Sequence, residues 1–176
     1  MKAVIALVLA CFTPALGVAA TLTGSIVNSS TAVDLPKVGT LDWARWPGYT
    51  HKGTAISDVT TTGTLKSMSN DPRLIGDNTA IKVAGSNASF QFTVAATTVE
   101  RTLTYYIGGW NSTGRVTVTM AGASTYTTTF SSTTTYSRVV TVKYRADAPT
   151  TLKVTYTQTA GAGSINMQAA ALSTLG

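Results

Sequence analysis

The stretch Arg101-Thr102-Leu103-Thr104-Tyr105-Tyr106-Ile107-Gly108-Gly109-Trp110 sets Leu103, Tyr105 and Ile107 on one side of an extended chain, with Thr102, Thr104 and Tyr106 on the other. Side chains of a β-strand alternate in direction, so this spacing predicts a strand with one face against a core. The residue types agree, because branched and aromatic side chains pack well on a pleated surface. Just downstream, Val116, Val118 and Met120 oppose Thr117 and Thr119 in the same rhythm. Further out the alternation returns in Ala88–Val94, Val139–Tyr144, Leu152–Tyr156 and Ile165–Ala169. Turn-forming residues separate these runs: Gly108-Gly109, Ser112-Thr113-Gly114, Asp147-Ala148-Pro149 and Gly161-Ala162-Gly163. A spacing of roughly ten residues per strand suits a sandwich or barrel. No window of helical length shows helical periodicity, and no fixed repeat points to a solenoid. The expected fold class is all-β, an antiparallel two-sheet β-sandwich of jelly-roll-like form.

Composition agrees with that reading. The 176 residues include 34 Thr and 15 Ser, while charged residues are only 11% and hydrophobic residues 44%. Such apolar content excludes a disordered chain, and the absence of an Ala/Glu/Lys/Leu/Arg surplus excludes a long coiled coil. Thirteen Lys and Arg outnumber seven Asp and Glu. The basic residues are scattered singly, however, which argues against nucleic acid as a partner.

Residues 1–20 read as a signal peptide. Met1-Lys2 brings a positive charge, Ala3 to Phe12 is almost wholly apolar, and Val18 and Ala20 suit a signal-peptidase site. The run is shorter than the about 20 residues a membrane span needs. Cleavage after Ala20 leaves residues 21–176 as a single secreted or cell-surface β-sandwich domain, with no membrane span. Val8-Leu9-Ala10-Cys11 also offers a loose lipoprotein-processing signal at Cys11. Cys11 is the only cysteine, so the mature chain has no disulfide and no thiolate chemistry.

Aromatic residues concentrate in Gly39-Thr40-Leu41-Asp42-Trp43-Ala44-Arg45-Trp46-Pro47-Gly48-Tyr49. On a strand, Trp43 and Arg45 share one face, while Asp42, Ala44 and Trp46 share the other. Tryptophans this close suit stacking on the C–H face of a sugar, or equally a place in the core. Asp42 is expected to receive Arg45, a backbone amide or an indole N–H. Trp43, Trp46, Tyr49 and Trp110 are the candidate carbohydrate-binding residues.

This segment resembles the Asp-Trp-Ala-His-Trp-Gly stretch that opens a β-sandwich module of secreted and cell-surface bacterial proteins, with Arg45 in place of His. The resemblance continues through Phe90–Val94, Arg101–Gly114, Val140–Ala146, Leu152–Tyr156 and Ile165–Leu172. It implies a jelly-roll-like fold and carbohydrate-binding-like behaviour.

Two function classes follow. The first is a non-enzymatic extracellular structural protein, self-associating into an oligomer or fibril by donating a terminal strand to a neighbour's sheet edge. Thr21 to Val27 is the candidate assembly strand, with Leu22, Ile26 and Val27 as its apolar residues and residues 28–35 as linker. The alternative is a carbohydrate-binding module using the surface tryptophans, with glycans as partners. Asn28, Asn87 and Asn111 each open an N-glycosylation sequon, and Thr125–Thr135 could carry O-linked sugar. No catalytic residues, cofactor or metal site are assigned. His51 is the only histidine, no nucleophile-elbow motif accompanies it, and no paired carboxylates stand out. A calcium site around Asn70, Asp71 and Asp77 is the one metal arrangement weighed.

Overall fold

The computed structural model describes residues 17–28, 31–69 and 79–174, with Ser69 described through its backbone only. Among the described residues, eleven strands and one helical turn follow in order: β1 (Thr21–Asn28), α1 (Leu35–Val38), β2 (Asp42–Arg45), β3 (Thr50–His51), β4 (Thr60–Thr62), β5 (Lys66–Ser69), β6 (Thr79–Ala84), β7 (Ser89–Ala96), β8 (Arg101–Met120), β9 (Tyr126–Arg145), β10 (Thr150–Ala160) and β11 (Ser164–Thr174). Every pairing between them is antiparallel. The fold is an all-β sandwich, as the alternation predicts.

Its construction differs from ten-residue strands joined by turns. β8 and β9 are each 20 residues long and pair along almost their whole length. On the other side of β8, β11 pairs with Arg101–Trp110 and β10 with Thr113–Met120. β10 and β11 thus act as one long strand broken at Gly161–Gly163. These three ribbons curl, so one continuous hydrogen-bonded sheet supplies both layers. β2, β3, β5, β6 and β1 extend one half, and β7 and β4 extend the other. Between the halves lie Phe90, Phe92, Val94, Leu103, Tyr105, Ile107, Val116, Val118, Leu152, Val154 and Tyr156, all essentially inaccessible.

Gly108-Gly109 and Ser112-Thr113-Gly114 are therefore not turns but part of a curled strand. The reason is steric. A Cβ on Gly109 would collide with the Tyr136 phenol, and one on Gly114 would lie 2.7 Å from the Tyr156 ring. With those Cβ atoms absent, the two tyrosines enter the curl and form a buried hydroxyl chain. Ser112 Oγ lies 2.8 Å from Tyr136 Oη, which lies 3.0 Å from Tyr156 Oη. Tyr156 donates onward to the Gly108 carbonyl at 2.8 Å. Ser112, Tyr136 and Tyr156 thereby each have a hydroxyl partner, as burial requires.

β1 lies in the sheet of its own chain, paired from Thr21↔Arg145 to Asn28↔Arg138 on β9. Leu22 and Ile26 pack partly against the core, while Val27 is exposed. The segment expected to be linker ends in α1, whose Leu35 is buried in a small second cluster with Tyr106, Ala169 and Ala171.

Candidate functional site

The Asp42–Tyr49 segment keeps the face division that alternation predicts. Asp42, Ala44 and Trp46 are buried, and Trp43 and Arg45 are half-buried on the opposite face. Asp42 is held by backbone amides: Oδ1 accepts from Trp43 N at 2.8 Å and Gly53 N at 2.6 Å, and Oδ2 from Ile56 N at 3.0 Å. That carboxylate ties β2 to the loop after β3. The indole finds a different carboxylate, as Trp46 Nε1 donates to Asp58 Oδ1 at 2.8 Å. Trp46 is only 2% exposed and packs on Phe92 at 5.8 Å, so it belongs to the core.

Tyr49 stacks on Trp46 at 6.4 Å and on His51 at 4.5 Å. Its phenol donates to the Ile56 carbonyl. Burial, with the Asp58 and Asp42 charges adding to it, raises the Tyr49 pKa. Trp46, Tyr49, Asp58, Leu65 and Ser67 border a shallow cleft of about 340 Å³. His51 Nδ1 lies 2.6 Å from the Gly53 carbonyl, so this nitrogen carries the proton and its partner is a backbone oxygen rather than a carboxylate. Trp43 stands elsewhere, beside Val33, Leu35, Pro36 and Arg45 at the helical turn.

Trp110 is in a third place. It sits where β8 curls, paired with Ser164 on β11 and Thr135 on β9, and is 54% exposed. Close backbone approach shapes this spot: Gly163 N donates to the Asn111 carbonyl at 2.9 Å, and a Cβ on Gly163 would overlap the Trp110 carbonyl. Trp110 walls a cleft of about 350 Å³, with Thr64, Lys66, Lys82, Ala84 and Ser164 around it. An exposed indole beside hydroxyls and amines can stack on the apolar face of a ring while its edges are hydrogen-bonded. The four candidate aromatics thus do not form one platform. Trp46 and Tyr49 lie together, and Trp43 and Trp110 are each apart. Lys66 and Lys82 were not singled out from sequence, although Ile81-Lys82-Val83 carries a strand alternation that could have exposed them.

Asn28 and Asn87 are exposed and Asn111 is half-buried at the curl. Asn70, Asp71 and Asp77 lie outside the described residues. Among the described residues, no three His, Cys, Asp or Glu side chains gather as a metal site would need. No helix there is long and apolar enough to cross a membrane.

No family model matches the sequence, and no curated protein matches it. Solved structures do resemble the fold. TmCBM61, solved in complex with beta-1,4-galactotriose, aligns with TM-score 0.51 and 14% identity over 68% of this chain and 90% of that one. The fold is similar to that of a carbohydrate-binding module. Further matches are the enzymatically active domain of bacteriophage CBA120 tailspike protein 4 and the CBM22-1–GH10 modules of Clostridium thermocellum xylanase 10B, complexed with xylohexaose. The first has TM-score 0.49 and 12% identity, over 68% of this chain and 20% of that one. The second has TM-score 0.43 and 12% identity, over 85% of this chain and 28% of that one. At 14% identity the likeness to TmCBM61 speaks for the fold alone.

Proposed function

We propose that this chain is an exported, non-enzymatic carbohydrate-binding module whose contact residue is Trp110. The observation that carries the reading is an indole 54% exposed at the wall of a polar-rimmed cleft, on a carbohydrate-binding-module-like sandwich. An indole offers a broad apolar face with one polar N–H at its edge, and the C–H face of a pyranose ring can stack on it. Trp43, Trp46 and Tyr49 are secondary candidates, of which Trp46 acts through folding because it is buried. The test is tryptophan fluorescence titration and affinity electrophoresis against a panel of plant, algal, bacterial and animal polysaccharides. Binding by the native chain, weakened about tenfold or more by Trp110→Ala at unchanged melting temperature, is the expected result. Equal binding by the variant overturns Trp110 as the contact, and no binding across the panel overturns the reading.

A second reading, assembly through sheet edges, is favoured by one observation. Among the described residues, Tyr126–Ser137 of β9 pairs on one side only and carries no charge. Charged side chains normally block an open edge of this kind.

A further inference from the structure

Lys66 and Lys82 are directly opposite each other in the β5–β6 register. Like charges placed across from one another destabilise a sheet, so the pair needs a reason. Lys66 alone has one, since β5 is an edge strand and lysine protects edges. Lys82 does not, because β6 is paired on both sides, with β5 and with β11. Neither ammonium group has a hydrogen bond or ion pair among the described residues, where the one salt bridge is Lys37–Asp34. Both lysines border the Trp110 cleft, and among the described residues no acidic one does.

We infer that the cleft selects anionic sugars, that is, pyranose rings bearing a carboxylate or a sulfate. Trp110 takes the C–H face of one ring, and the two ammonium groups take the negative charge. An anion held between the two ammonium groups offsets their mutual repulsion. This inference rests on the reading of Trp110 as a sugar contact.

Isothermal titration of the full chain against polygalacturonate, fully methyl-esterified polygalacturonate, dextran sulfate and dextran tests it. Each charged polymer has an uncharged counterpart, and the two pairs separate carboxylate from sulfate. At least one charged polymer binds about tenfold more tightly than its counterpart, the change expected from two partly exposed charge contacts. That preference shrinks as salt shortens the screening length from about 10 Å at 0.1 M to about 3 Å at 1 M.

The Lys66→Gln, Lys82→Gln double variant loses the preference, a Lys66→Arg, Lys82→Arg variant keeps it, and Lys82→Gln melts no lower than the native chain. If the double variant fails to fold, Lys66→Gln at the exposed edge gives the same readout with a smaller loss. A preference that is absent, or that survives loss of both charges, overturns the anionic assignment and leaves sugar binding standing. Charged-polymer binding that survives Trp110→Ala shows charge attraction alone and overturns the sugar contact. No binding to any of the four polymers overturns the anionic assignment, while the wider panel decides whether neutral sugars bind.

Discussion

Asp42 shows how much one side chain decides here. It is buried, and its two oxygens accept three backbone N–H groups from Trp43, Gly53 and Ile56. Charge-assisted bonds of this kind are among the stronger ones, and a buried donor left unpaired is costly. Replacing Asp42 with Asn puts an amide N–H against a backbone N–H. Asp42→Asn is therefore expected to lower stability by about 2–4 kcal/mol, read from the shift in denaturant midpoint at constant slope. A loss below about 0.5 kcal/mol would show that water reaches these amides. The in-and-out order of Asp42 to Trp46 was legible in the sequence because strand geometry alone sets it. The partners were not, since Gly53, Ile56 and Asp58 arrive through a loop whose path depends on packing.

At the scale of elements, strand existence was legible and strand length was not. Gly108, Gly109 and Gly114 read as punctuation, yet they are the positions where β8 admits the Tyr136 and Tyr156 rings. Glycine marks a close approach as readily as a turn, and only the neighbouring strand distinguishes the two. β9 also leaves an uncharged edge beyond the end of β1, and the assembly reading belongs to this scale. Electron microscopy of the native protein is expected to show regular filaments if the edge is used. Thr129→Lys with Thr133→Lys, both at exposed positions, is then expected to abolish them without changing the fold. Dispersed single chains in the native sample would overturn assembly, and filaments that persist in the lysine variant would overturn this edge as the interface.

At the scale of the whole molecule, the core contains many tyrosines. Burial pushes the Tyr106 phenol up to about 12 and the Tyr105 and Tyr156 phenols well above their usual 10. The folded state thus favours the neutral phenol, and ionisation favours the unfolded chain. This stability is fully present below about pH 10, the unfolded value, and is lost as pH rises toward the folded values. Alkaline unfolding above pH 10 is expected to be cooperative, with phenolate absorbance rising together with loss of the near-ultraviolet circular dichroism. Smooth titration of all tyrosines near pH 10 with the fold intact would show that these rings are wetter than their burial implies.

The sequence by itself determined the all-β class, the faces of the strands and the candidate aromatics, because period-two alternation and β-propensity are local properties of a chain. Only the tertiary structure decided which of those aromatics meet solvent. Burial depends on what another strand lays across a residue, and this separates Trp46 in the core from Trp110 at the curl. The same holds for Lys66 and Lys82, which lie 16 residues apart in the chain and come to face each other only through the antiparallel register of β5 and β6.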